Sequence, residues 1–542
     1  MKKFIVAVIF ACHAMSAFAQ DGADAYGQAD KMFQVAQAVQ TSRAARAVQQ
    51  IALRIAAREA GAQDLAIARR DLTQEREHIR ADPDLDPTAR RLRLNELDVA
   101  IRANGLDLAE AFPGYNDIIA PVPLTVAQVQ AALDPDEALI LLHQAPQNLF
   151  IWVMGRDLLL WQRVPATSGD AADLVGRFRQ EMGLDGGVLR GAAALDDDAE
   201  DGAEDGADDP QDVTLRRGFN TSLAHNIHQL IFGPYWDQLQ TINHLRIVPD
   251  AAWIGLPFAA LLTDIEDTIE NPTAQDLRDA SWVARTHAIT LMPSVVSLLA
   301  VKSAASDPGN LPTPTLLALG DPVFQGTSSA ADVARSGDDK IDITALAPLP
   351  GTRREVRAIA ATFAPDKAQV LLGAQASETA LNAIDLSTQD VVVFATHGLI
   401  SGELQGLDEP ALALTPPLEP TPGDDGLLKA GEIAGLTLNA EWVVLSACNT
   451  AAGDGEGAEG LSGLASAFFA AGAEALLVSH WPVRDDAAAR LTAGAFAQMR
   501  KTPDLRKAEA LRRSMLTLME DDSDPTLAHP FAWAPFFMVG NS

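Results

Sequence analysis

Two short segments carry residues that could do chemistry together: His397 in "DVVVFATHGLISGE" and Cys448 in "WVVLSACNTAAG". Each residue directly follows an apolar run of the kind that makes a buried strand, and glycines follow each one. A thiol is mostly protonated at neutral pH and becomes a strong nucleophile when a neighbour stabilises its thiolate. A histidine can supply that stabilisation and hand the proton to a departing amine. Backbone N–H groups at Gly398 and Cys448 are candidate donors to the oxyanion that such an attack creates. A third run, "EALLVSHWPVRDD", ends in His480 and brings Asp485 and Asp486 close behind it. Two readings stand for each of these. His480 either tunes the pair or packs, and the acids either select a basic substrate side chain or cap the helix "DDAAARLTAGAFAQM".

The thiol is conspicuous because the chain has only two cysteines in 542 residues. The other, Cys12, lies in "MKKFIVAVIFACHAMSAFAQ". That basic start, short apolar core and Ala17-Phe18-Ala19 read as a secretory signal peptide over residues 1–19. The expectation is an exported protein, periplasmic or extracellular, with a lipoprotein signal acylated at Cys12 as the alternative. Once the signal is removed, Cys448 is the only cysteine left and cannot pair within its own chain. It is then an inert core residue or a thiol kept for chemistry. A net charge of −32 argues against nucleic acid and anionic membrane as partners, since both need a basic face. No other segment offers ~20 unbroken apolar residues, so no membrane span is expected.

The elements that must position these residues can be read from periodicity. Residues 20–112 show helical spacing, with Met32, Val35, Ala36 and Val39 on one face, and "DPTARRLRLNELDVAIRANG" is opened by a cap signal. Long charged faces there suggest a helical hairpin. In "DEALILLHQAPQNLFIWVMGRDLLLWQRV" two apolar runs flank a turn at Ala145–Asn148, and a third strand follows Gly155-Arg156-Asp157. An acidic low-complexity stretch over 193–212 reads as a flexible loop. It and residues 415–431 are the segments where processing is expected. Further on, the strand candidates 244–249, 315–320, 369–373, 390–396, 442–447 and 474–480 alternate with helices such as "TRREVRAIAATF" and "GLSGLASAFFAAG". Continuous apolar strands alternating with helices predict an α/β fold: a mostly parallel sheet covered on both faces, with ligands at the carboxyl ends of its strands.

Several of these stretches, in this order, resemble the CHAT domain. They are "LRIVPDAAWIGLPFAALL", "PLPGTRREVRAI", "DVVVFATHG", "WVVLSACNTAAGDGEGAEGLSGLASAFFAAGAEALLVSHWPVRDDAA" and "HPFAWAPFFMVG". The resemblance implies a caspase-like peptidase domain over 113–542, related to separase and the caspases. It places the catalytic histidine on His397 and the nucleophile on Cys448. His480 stands where the family more often has Leu, and the helical region is shorter than the repeats relatives carry. The implied function is a cysteine endopeptidase acting on protein or peptide substrates through an acyl-enzyme, without metal or organic cofactor. The N-terminal helices would be the place for an activating protein partner. The alternative is a non-hydrolytic interaction or signalling module of the same fold. No G-x-S-x-G is present, which argues against an α/β-hydrolase serine enzyme, and "SACNT" lacks the glycines an amidotransferase elbow wants.

Overall fold

The computed structural model describes residues 22–39, 62–81, 87–111, 123–182, 219–299, 314–324, 343, 346–401, 404, 407, 409–418, 421, 423–447, 463–481 and 483–541. The expected signal peptide, residues 40–61, the acidic stretch 193–212 and Cys448 lie outside them.

The strands are β1 (Glu137–Ala145), β2 (Asn148–Gly155), β3 (Leu158–Pro165), β4 (His244–Val248), β5 (Ala288–Leu291), β6 (Leu316–Gly320), β7 (Ala368–Leu372), β8 (Val391–Ala395), β9 (Gly398–Leu399), β10 (Ala411–Ala413), β11 (Leu427–Lys429), β12 (Trp442–Ser446), β13 (Ala475–Ser479) and β14 (Phe536–Gly540). Eleven of them form one sheet in the order β3-β2-β1-β4-β5-β14-β13-β12-β8-β6-β7. Every neighbouring pair is parallel except β1–β2, β2–β3 and β13–β14. Helices pack against it, so the expected mostly parallel α/β fold is what the chain adopts. The hairpin also falls where the sequence put it, since Ala145 pairs with Asn148 and Gly155 with Leu158.

Five strands are not among the sequence candidates: β9, β10 and β11 of the small sheet, and β5 and β14, which organise the large one. β5 has four residues, too few to show a period. β14 is the C-terminal strand; it enters the middle of the sheet, parallel to β5 and antiparallel to β13. Strands β1, β4, β5 and β14 therefore run parallel to one another and opposite to β13, β12, β8, β6 and β7, the two groups meeting at β13–β14. The carboxyl ends of β6, β8, β12 and β13 consequently share an edge with the amino ends of β1, β4 and β5. Strands β4, β6, β8, β12, β13 and β14 are buried along their whole length, as apolar strands covered on both faces must be.

The helices used below are α1 (Gly22–Val39), α2 (Gln63–Ala81), α3 (Pro87–Ala111), α4 (Ser168–Glu181), α5 (Pro350–Ala360), α6 (Gly463–Ala471), α7 (Asp485–Lys501) and α8 (Lys507–Met519). Helix α1 is not detached from the sheet. Its Phe33 and Ala36 are buried with Leu139, Leu141 and Trp152 of the hairpin, and Trp152 Nε1 donates to Ala29 O at 3.2 Å. Helices α2 and α3 form the expected antiparallel hairpin, tied by Asn104 Nδ2 to Leu65 O at 2.9 Å and by Arg76 to Asp98 at 2.6 Å. Among the described residues no helix is long and apolar enough to cross a membrane.

Residues 415–431 are not the open loop expected. β9, β10 and β11 form a small antiparallel sheet, and Leu414 N donates to Gly426 O at 2.7 Å. Gly426 has φ +89° and a Cβ there would lie 2.8 Å from Pro416, so the turn into β11 requires glycine. Among the described residues of this stretch, Leu418, Thr421 and Gly423 are exposed.

Candidate functional site

The register aligns the strand ends that matter. Ala395 of β8 pairs with Ser446 of β12 on one side and with Gly320 of β6 on the other. Ser479 at the end of β13 donates through Oγ to Ala447 O at 2.7 Å. The residues that follow these ends are Asp321, Thr396-His397, Ala447 and His480, so one edge of the sheet collects them. Cys448, the residue after Ala447, lies outside the described residues.

His397 is held closely. Thr396 N donates to Ser446 O at 3.2 Å, extending the β8–β12 ladder past the strand. Thr396 Oγ1 donates to Ala413 O, and Ala413 N donates to His397 O at 2.9 Å. The backbone is thus clamped between the main sheet and β10. The imidazole is 9% exposed and lies 5.5 Å from the Phe324 ring. Its Nε2 is 2.8 Å from Ala347 O. A carbonyl oxygen only accepts, so Nε2 carries the hydrogen and Nδ1 is the basic nitrogen of the neutral ring.

Gly398 opens β9 opposite Leu412. Bonded and non-bonded pairs alternate along an antiparallel ladder, and the bonded pair here is His397–Ala413. The Gly398 N–H therefore faces away from β10, available to another acceptor at this edge.

Of the other predicted site residues, His480 is an interior group. Its ring stacks on Phe537 at 4.1 Å and borders a cavity of about 30 Å³ shared with Phe258, Leu291 and Met515. Burial pushes its pKa well below the usual histidine value, so it is neutral. Its carbonyl accepts from Arg179 of α4 at 3.2 Å. Asp486 is engaged by Arg484, Nε to Oδ1 at 3.0 Å and Nη2 to Oδ2 at 2.9 Å. Arg484 also reaches Asp524 at 3.1 Å. Arg484, not an aspartate, occupies the cap position of α7, so Asp485 and Asp486 lie in the first turn, where the helix dipole favours acids.

Two residues at this edge went unremarked in the sequence. Asp321 has φ +50°, uncommon for a residue with a Cβ. Its N–H donates to Thr352 Oγ1 at 2.8 Å and its carboxylate pairs with Arg353 at 2.5 Å. The signal was the Gly320-Asp321-Pro322 turn after an apolar run. Gly320 itself lets α5 approach, because a Cβ there would lie 3.0 Å from Val356. Glu355 of α5 is 1% exposed and accepts from Ser446 Oγ at 3.0 Å and Thr492 Oγ1 at 2.9 Å. It ties α5 and α7 to the last residue of β12, two positions before Cys448. Glu355→Ala is expected to cost about 2 kcal/mol, for two hydrogen bonds to a buried carboxyl group. Differential scanning calorimetry beside Glu355→Gln reads this; an unchanged melting temperature in the alanine variant would refute it.

Residues 221–541, more than half of the chain, match the family model of the CHAT domain. The chain belongs to the CHAT domain family. The CHAT match begins after the β1–β3 hairpin, although that hairpin is hydrogen-bonded into the same sheet through β1–β4. No curated protein matches the sequence. Among solved structures, the chain is similar to separase of Saccharomyces cerevisiae in complex with securin. One structure of that complex gives 11% identity and a TM-score of 0.45; a second gives 13% and 0.39. Both alignments cover 88% of this chain and only 37% of the separase chain. The Arg-specific cysteine proteinase gingipain R gives 11% identity and a TM-score of 0.34, covering 58% of this chain and 66% of the other.

Proposed function

We propose that this CHAT-family chain is an exported cysteine endopeptidase with Cys448 as nucleophile and His397 as its proton partner. The supporting observation is the His397 ring at the carboxyl end of β8, turned by Ala347 O so that Nδ1 is basic. It stands beside the end of β12, from which Cys448 follows two residues after Ser446. His397 Nδ1 takes the thiol proton as Sγ bonds to the scissile carbonyl carbon, and the carbonyl electron pair moves onto oxygen. The N–H groups of Gly398 and Cys448 are the oxyanion donors in this reading. Collapse expels the amine, which takes the proton from Nδ1. Water then hydrolyses the thioester, releasing the acid and restoring the thiol. Asp485 remains the candidate for a basic substrate side chain, because Asp486 is already paired with Arg484.

The test is alkylation. Purified protein lacking residues 1–19 is offered a peptide library before and after treatment with iodoacetamide, and the modified residue is located by mass spectrometry. Cleavage should fall in proportion to the fraction alkylated at Cys448. Undiminished cleavage by fully alkylated protein would overturn the proposal, and no cleavage by untreated protein would favour the non-hydrolytic module.

A further inference from the structure

Helix α3 presents two faces. Leu97, Asn104 and Leu108 are buried towards α2. On the opposite side Leu92, Val99 and Leu106 are exposed by 63%, 58% and 73%. They stand seven residues apart and so form one apolar stripe along about four turns.

The charges beside that stripe are ordered. At about 100° per residue, Arg91 and Arg102 fall on one flank, and Glu96 and Asp107 on the other, each roughly 70° from the stripe's centre line. All four are exposed, and each arginine precedes its acid by five residues. Arg91, Arg102 and Asp107 have no ion-pair partner among the described residues. Glu96 accepts from Arg93 through Oε2 at 2.9 Å, which leaves Oε1 for a second donor.

We infer that this face of α3 is an interface with a second copy of the chain, the two helices lying side by side in parallel. In a parallel pair, one flank of a helix meets the opposite flank of its partner five residues along. Arg91 then meets Glu96, and Arg102 meets Asp107, of the other copy; the two-fold axis makes four such pairs around a seam of Leu92, Val99 and Leu106. Antiparallel pairing would set each flank against itself, arginine by arginine and acid by acid, which like-charge repulsion disfavours. The charge pattern thus selects both the partner and its direction. A single helix pair is a small interface, so the dimer forms at micromolar rather than nanomolar concentration.

Sedimentation equilibrium of the full chain across a micromolar range tests this with two charge-reversed variants. Arg91→Glu/Arg102→Glu and Glu96→Arg/Asp107→Arg should each raise the dimer dissociation constant by about tenfold or more, four attractive pairs becoming repulsive. An equimolar mixture of the two should dimerise again, because each then offers what the other lacks; a misfolded variant could not be rescued in this way. A monomeric wild type, a dimer insensitive to either reversal, or a mixture that stays monomeric would each overturn the inference.

Discussion

Cys448→Ala and His397→Ala are each expected to lower kcat/KM on a cleaved peptide by about a thousandfold or more, with the double variant scarcely worse than either. Residues that act as one unit give non-additive losses, because removing either leaves the other nothing to do. The His397 variant separates a chemical role from a structural one. The ring gives up one hydrogen bond to Ala347 O and its contact with Phe324, a net stability change of about 1 kcal/mol for the bond. Its backbone clamps, through Ser446 and Ala413, do not depend on the side chain. His397→Ala should therefore melt cooperatively close to wild type while losing turnover. His397→Ala retaining more than about a tenth of wild-type activity would be incompatible with proton transfer by this ring, for which losses of about a hundredfold or more are usual.

Arg246→Met should give the largest loss of stability, about 3–5 kcal/mol, because it takes from an interior carboxylate its closest counter-charge. Glu137 of β1 is fully buried and Arg246 of β4 is 3% exposed. Arg246 Nε and Nη2 donate to Glu137 Oε1 at 2.9 and 2.7 Å, with His244 Nδ1 at 3.3 Å. Burial alone would raise the Glu137 pKa, but His244 and Arg246 outweigh it and hold the group well below the usual carboxylate range. A pKa lower in the folded chain than in the unfolded one stabilises the fold above the unfolded value. That contribution fades as pH falls below about 4.5. The stability gap between Arg246→Met and wild type should thus narrow as pH falls below about 4.5, read by urea unfolding followed by circular dichroism at neutral and at acid pH. Arg246→Met/Glu137→Leu, which removes both charges, should recover much of the loss; a double variant less stable than Arg246→Met would contradict this account.

The sequence made legible what repeats or is continuous. The unbroken apolar runs of β4, β6, β8, β12 and β13 announced a covered parallel sheet, and His397 was visible because it directly follows one of them. The hairpin could be placed to the residue because its strands are local. What stayed hidden depends on partners far along the chain. "FFMVG" carries no mark that it will lie between β5 and β13, or that two halves of opposite direction meet there. Nothing in "MFQVA" around Phe33 and Ala36 says that α1 will cover Trp152. Glu355 sits in an amphipathic helix where a glutamate is ordinary, and its value comes from Ser446 and Thr492, 91 and 137 residues away. Asp321 was legible only as a turn, since left-handed backbone has no signature beyond its neighbours. The acids after His480 drew attention by charge alone, whereas Arg484, one residue earlier, decides what Asp486 does.

The position of β14 has a consequence for the order in which the molecule comes into being. A ribosome makes β1 to β13 before β14, yet β5 and β13 touch only through that later strand. Until residues 536–540 have cleared the exit tunnel, the two half-sheets have open edges facing each other with nothing between them. The edge carrying His397 cannot be braced against the β1–β4–β5 half during that interval. Long-range pairing of this kind is slow, and unpaired strand edges are prone to aggregate. The strand that joins the two half-sheets is thus made after both of them, and the edge that carries His397 waits for it.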